Sequence, residues 1–407
     1  GGSPAPVASG GTSGTGGAAA GDTGGSISGG AGGDSGPATG TGGSNAGNAG
    51  SGAGGSNGGS GSVGSAATGG RGASGGGSAG SGGGGGLVPP VPLDPALMSR
   101  CTGSKPIKCT FSVPADGNYN VTVELGSAQA ASTSEIEAEL GRIVVPSVKL
   151  AAGAYSQHTF SVNVHNESHD DYTAPDKQLD VLISGDAPAL HGLGFAAANI
   201  PTLFVVGDST VCDTPRDRPQ RGWAQEFSIY LQPGLAVANY ADSGDTASSL
   251  YPKFSSRGGV LKKGDYLFIQ FGHNDMKLTA AVASYKANLL KYITDARNAM
   301  ATPILFSPVA RRAYLDDHNK ATTVAEPGFN GLDQQARELA AAEKVAFVDL
   351  TTLAIKYYAT VDAPALFSSR SEIAHFGVAG ATAISKLVAD ALKAGTTPAT
   401  SIGDFLK

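Results

Sequence analysis

Four short blocks in the 407-residue chain carry side chains able to do chemistry, and three of them close a short apolar run. Gly207-Asp208-Ser209-Thr210 follows 203–206, Asn239-Tyr240-Ala241-Asp242-Ser243-Gly244 follows 236–238, and Gly272-His273-Asn274-Asp275 follows 266–271. Glu372-Ile373-Ala374-His375 stands ahead of a helical pattern that starts at Val378. Serine, histidine and a carboxylate are the types that nucleophilic catalysis uses. A neutral hydroxyl attacks poorly until an adjacent base takes its proton, and that base works best when a third group holds its ring. Singly, each block says little: a serine after a strand is most often a helix cap, and a lone histidine is most often a surface or capping residue.

The apolar runs define the elements that must carry these blocks. Those at 203–206, 236–240, 266–271, 303–307 and 345–349 are short and continuous, and helical spacing fills 281–300 and 332–343 between them. From Val378 onward Ile384, Leu387, Val388 and Ala391 share one helical face. Strands with no polar alternation, separated by helices, predict a parallel sheet covered on both sides, an α/β domain over 201–407. In such sheets ligands bind beyond the carboxyl ends of the strands, which is where the first three blocks fall.

Upstream the period changes to two. Tyr119, Val121, Val123 and Leu125 alternate with polar residues, as do Phe160, Val162 and Val164, then Leu179, Val181 and Ile183. With the turn signal Pro114-Ala115-Asp116-Gly117, this predicts a small β-sandwich over 105–200, reached through a Pro-containing transition at 87–104. Residues 1–86 hold 39 of the 61 glycines and only three charges, Asp22, Asp34 and Arg71. Without an aromatic residue they cannot bury enough surface to offset chain entropy, so this Gly/Ser-rich segment is expected to be a disordered linker. Asn120-Val121-Thr122 and Asn166-Glu167-Ser168 match the glycosylation sequon, a match that in a bacterial protein would be accidental.

Composition excludes several classes. Residues 87–407 carry 27 Lys and Arg against 32 Asp and Glu, an acidic balance that argues against nucleic acid as a partner. No apolar run is long enough for a transmembrane span, and the glycines lack the strict period of collagen. Cys101 and Cys109 bracket a short loop and could pair, which suits an extracytoplasmic protein; Cys212 is left over, and the spacing suggests no metal site. The long Gly/Ser spacer resembles those of surface-tethered bacterial lipoproteins. The expectation is therefore a secreted or cell-surface protein, its signal peptide removed, with a lipid anchor upstream of Gly1 as one means of tethering.

Together and in this order, the four blocks resemble the SGNH (GDSL-type) hydrolases, named for a Ser, Gly, Asn and His in four such segments. Within them the wording is similar to rhamnogalacturonan acetylesterases: GDSTV at 207–211, GWAQ at 222–225 and GHND at 272–275. The resemblance covers roughly 105–395 and leaves out the tail. It implies a flavodoxin-like three-layer α/β sandwich. It also implies Ser209 as nucleophile, His375 as base and Glu372 as the group that orients it. The oxyanion hole would be the N–H groups of Ser209 and Gly244 and the side-chain amide of Asn274. No metal and no cofactor is implied.

The sequence departs from the family at two points. Glu372 replaces the usual Asp, and it reaches the imidazole only if the segment is a turn; otherwise it is a solvated carboxylate and a backbone carbonyl orients His375. Gly244 is followed by Asp245-Thr246 where well-known members have Arg-Ser. An Asp there would repel a uronate carboxylate, whereas Arg216, Arg218, Arg221, Arg311 and Arg312 could attract one. His273, Asp275 and Asp208 read as loop-shaping residues, and Trp223 as a core anchor rather than a sugar platform. The implied function is a serine O-acetylesterase acting on acetylated plant polysaccharide, rhamnogalacturonan foremost. The alternatives are a xylan acetylesterase, a lipase, thioesterase or arylesterase with the same residues, and a surface glycan-binding protein.

Overall fold

Alternating side chains build the first of two separate cores. The computed structural model describes residues 88–165, 177–256, 261–312 and 329–407, with the backbone of 168–169 and 172–173. The Gly/Ser segment 1–86 and Asn166-Glu167 of the second sequon lie outside the described residues. The first ten strands are β1 (Cys101–Thr102), β2 (Ile107–Ser112), β3 (Gly117–Gly126), β4 (Ser132–Ala138), β5 (Arg142–Leu150), β6 (Tyr155–Val164), β7 (Ser168–His169), β8 (Tyr172–Thr173), β9 (Gln178–Ala187) and β10 (Leu190–Ala197). β7 and β8 pair only with each other. The rest form two antiparallel sheets, ordered β1-β2-β9-β4-β5 and β10-β3-β6. Val121, Val123 and Leu125 of β3 pack with Ile136, Val181 and Ile183 of the facing sheet, as the alternation predicts. Cys101 and Cys109 sit opposite each other on β1 and β2 and form a disulfide; Cys212 is buried and free.

The second core is a parallel sheet: β11 (Thr202–Gly207), β12 (Ala236–Asn239), β13 (Tyr266–Gln270), β14 (Thr302–Phe306) and β15 (Ala346–Val348), in the order β12-β11-β13-β14-β15. That is the flavodoxin-like order, whose switch point lies between the first and third strands in sequence, here β11 and β13. Helices α1 (Ala247–Ser256), α2 (Thr279–Asn298) and α3 (Leu332–Glu343) cover one face, burying Phe204, Val206, Leu267 and Ile269. On the other, α4 (Leu350–Tyr358), α5 (Val378–Ala394) and the helical turn Trp223–Tyr230 bury Leu203, Val205, Phe268 and Phe306. Alternate side chains of one strand thus enter different layers, both dry, which is why these strands read as unbroken apolar runs. Trp223 is fully buried and donates from Nε1 to Gln270 Oε1 at 2.9 Å, the anchor its sequence context suggests.

The sandwich packs directly on the α/β layer. Asn118 Nδ2 donates to Ile200 O and Thr202 Oγ1, both at 2.9 Å, and Gly234 N–H donates to Ser161 Oγ at 2.9 Å. In the helical turn Trp223–Tyr230, Glu226 is fully buried with no hydrogen-bond partner on either carboxyl oxygen among the described residues. Burial pushes its carboxyl up to about 8, against the pull of the Arg221 guanidinium. The folded chain therefore holds a proton that the unfolded chain has released, and stability declines as pH rises from about 4.5 through 8. Glu226→Gln abolishes that dependence. Its advantage over the native protein in urea unfolding is expected to grow by a few kcal/mol between pH 5 and about 8. An advantage of the same size at both pH values would contradict a titrating Glu226.

Candidate active site

β11 ends at Gly207 and the chain turns at once, Asp208 O accepting the N–H groups of Val211 at 2.9 Å and Cys212 at 3.1 Å. The turn is tight enough that a Cβ at Gly207 would lie 2.7 Å from both Gln270 O and Val211 Cγ2. It sets Ser209, partly buried, at the carboxyl end of the sheet beside the switch point. Ser209 Oγ lies 3.0 Å from His375 Nε2, within reach for direct proton transfer.

The residues before His375 are bends and turns, not helix, and this is what lets a carboxylate three positions earlier meet the ring. Glu372 Oε2 is 3.4 Å from His375 Nδ1, an electrostatic contact rather than an aligned hydrogen bond. Its Oε1 accepts the N–H groups of Ile373 at 2.8 Å and Ala374 at 2.9 Å. Burial pushes this carboxyl up, but those two N–H groups and the neighbouring His375 outweigh it and hold it down at about 2. Arg312 braces the same segment, donating from its guanidinium to Arg370 O and Ser371 O and from its backbone to Ile373 O.

Two other loops converge on Ser209. Asp208, with no solvent exposure, accepts from Thr210 N–H and Thr210 Oγ1 through Oδ1, and from His273 N–H through Oδ2. It thereby ties the turn after β11 to the loop after β13. Asn274 Nδ2 donates to Asp245 O at 3.0 Å, and Lys277 Nζ donates to Asn274 Oδ1 at 2.8 Å. The amide is held at both ends and keeps one N–H to spare. Among the described residues the N–H groups of Ser209 and Gly244 donate no hydrogen bond. Gly244 has φ +83°, and a Cβ there would meet nothing within 4 Å. A left-handed backbone of this kind favours glycine.

The loop-shaping residues behave as such. His273 Nε2 is bound to Val309 O at 2.8 Å, and burial pushes its imidazole down to about 4 against the pull of Asp208. Asp275 Oδ1 accepts Ala247 N–H at the start of α1, and burial pushes its carboxyl up to about 7. Asp245 is not the exposed anion expected from sequence. It is 5 % exposed, accepts from Ser249 Oγ and pairs with Lys253 Nζ at 2.8 Å, so its charge is answered by α1, the helix that follows. Among the arginines, Arg221 spends its guanidinium on carbonyls of 215, 216, 218 and 220, Arg216 pairs with Glu137, and Arg311 donates to His273 O.

Sequence reasoning missed Gln270, Lys277, Asp213 and Asn239. Gln270 ends an otherwise apolar strand and bridges Trp223 to Thr210 Oγ1 at 2.9 Å. A lone amide in a dry strand was the available signal, because a buried polar group must find partners.

Residues 205–383 match the family model described as GDSL-like Lipase/Acylhydrolase. The chain is 28% identical over 211 residues to rhamnogalacturonan acetylesterase RhgT of Bacillus subtilis (strain 168), covering 47% of this chain and 89% of the relative. It is 27% identical over 205 residues to the probable rhamnogalacturonan acetylesterase YesY of the same organism, covering 47% and 92%. Among solved structures, protein YXIM of Bacillus subtilis is 24% identical, with a TM-score of 0.46 over 71% of this chain and 80% of that one.

The two glycines make separable predictions. Gly244→Ala should cost about 1–2 kcal/mol, the penalty for a left-handed backbone in open space. Gly207 carries no left-handed backbone, but Gly207→Ala must displace Gln270 O or Val211 and should cost more. Urea denaturation of the two variants checks the order, and equal losses would contradict it.

Proposed function

We propose that the chain, whose residues 205–383 match the GDSL-like lipase/acylhydrolase family model, is a serine carbohydrate O-acetylesterase acting on acetylated rhamnogalacturonan. The observation that carries the reading is the 3.0 Å contact between Ser209 Oγ and His375 Nε2. The substrate class is supported by the names of the two Bacillus subtilis relatives.

In this reading His375 Nε2 takes the Ser209 proton as Oγ attacks the acetyl carbonyl. The Ser209 and Gly244 N–H groups and the spare N–H of Asn274 receive the oxyanion as it forms. The tetrahedral species collapses by breaking the bond to the sugar oxygen, which takes the proton from His375 and leaves as a hydroxyl. A water then gives its proton to His375 and attacks the acetyl-enzyme, releasing acetate and returning the proton to Ser209. Glu372, ionised down to about 2, stabilises the imidazolium that forms twice per cycle. The Cys101–Cys109 disulfide supports a place outside the cytoplasm, where such bonds persist.

The deciding measurement is acetate release from acetylated rhamnogalacturonan and acetylated xylan, compared for the native chain and Ser209→Ala. Ser209-dependent acetate from the pectic substrate is expected. Release from xylan alone would keep the mechanism and change the sugar, while no release from either, with nitrophenyl esters also untouched, would overturn the esterase reading. Asn274→Ala should lower kcat by about 10²–10³ with little change in KM.

A further inference from the structure

At one point the sandwich reaches deep into the α/β layer. The tight turn from β4 to β5 has Glu139 and Gly141 at φ of 53° and 69°. Gln225 grips its tip, Nε2 donating to Leu140 O at 2.9 Å, while Gln225 Oε1 accepts the N–H of Thr214. Arg142, the first residue of β5, extends past this contact. Its Nε donates to Asp213 Oδ2 at 2.5 Å and its Nη1 to Val237 O at 3.3 Å. Arg142 and Asp213 are each 2 % exposed. A pair this dry differs from a surface ion pair, because removing either partner strands the other charge away from water.

Asp213 lies four residues beyond Ser209, at the end of the nucleophile turn. Its Oδ1 accepts from Asn239 Nδ2 at 2.7 Å, and the same amide donates to Val211 O at 3.0 Å. Asn239 Oδ1 in turn accepts the N–H of Ala241 at 3.1 Å, at the start of the segment that leads to Gly244. One guanidinium from the sandwich therefore anchors one carboxylate, and that carboxylate shares an amide with both loops.

We propose that Arg142 is a positioning residue for the esterase reaction, an inference that rests on the function proposed above. It fixes Asp213, and through Asn239 it sets the spacing between Ser209 and the Gly244 N–H. The sandwich is then a working part of the hydrolytic site rather than an appended binding module. The leverage is large because a displacement of about 1 Å in an attack geometry can lower the rate about 10²-fold.

The test uses the full chain and three variants: Arg142→Lys, Arg142→Met, and Arg142→Met combined with Asp213→Leu. For each, kcat and KM on nitrophenyl acetate, the rate of Ser209 phosphonylation and the melting temperature are measured. Arg142→Met is expected to lose about 10–100-fold in kcat and in phosphonylation, well below its melting temperature, with KM within about twofold. Arg142→Lys should recover part of the rate. The apolar double variant should recover melting temperature without recovering kcat, since it removes the stranded charge but not the misplacement. A folded Arg142→Met that reacts at the native rate would overturn the proposal, as would a double variant that regains rate along with stability. If Arg142→Met does not fold, the lysine and double variants decide on the same criteria. A native chain that leaves the phosphonate untouched would instead remove the esterase reading itself, so the two failures are distinct.

Discussion

A carboxylate with no contact with water organises this molecule's reactive end. Asp208 can stay buried only while its oxygens are satisfied, and the groups that satisfy them are Thr210 and the backbone of His273. Those groups belong to different loops, so the cost of burying one charge is offset only when the loops meet. The same logic recurs outward. Thr210 Oγ1 accepts from Gln270, which accepts from Trp223, so an indole in the core and a hydroxyl beside the nucleophile share one network. Break one member and its neighbours are left unpaired in a dry layer, which is why such networks act as units.

Charge around the site is likewise answered locally. Asp245 is met by Lys253, Glu372 by two backbone N–H groups and His375, and Asp213 by Arg142 and Asn239. Arg221 and Arg312 follow the same pattern, their guanidinium groups closing loops whose carbonyls would otherwise lack donors. A sequence offers these residues as free charges facing a substrate; three dimensions show most of them already occupied.

The split between legible and hidden features has a physical basis. The parallel strands were readable because burial on both faces leaves a nearly unbroken apolar run, and the β-sandwich because burial on one face imposes a period of two. Ser209, Gly244, Asn274 and His375 were readable because they lie in four blocks whose wording and order resemble those of a known family. Glu372 was readable only conditionally, since its reach depends on the turn that the structure supplies. Helix α1 was not readable: Pro252 interrupts a short serine-rich stretch, and its first N–H is capped by Asp275, a residue 28 positions away. Arg142 was hidden for the same reason. A strand arginine is usually solvated, and nothing local says that this one points into another layer.

The contact between Ser209 and His375 spans 166 positions of chain, and that separation has a consequence during synthesis. The ribosome delivers the nucleophile turn, the Asp208 loop and the Asn274 amide long before the histidine emerges. Until α5 packs and brings the 372–375 turn with it, the nascent chain holds a hydroxyl with no base. Under the proposed reaction, hydrolytic competence thus arrives as one of the last events of translation, and a product cut short anywhere before His375 is inert. The order of the blocks along the chain acts as a built-in delay between making the scaffold and arming it.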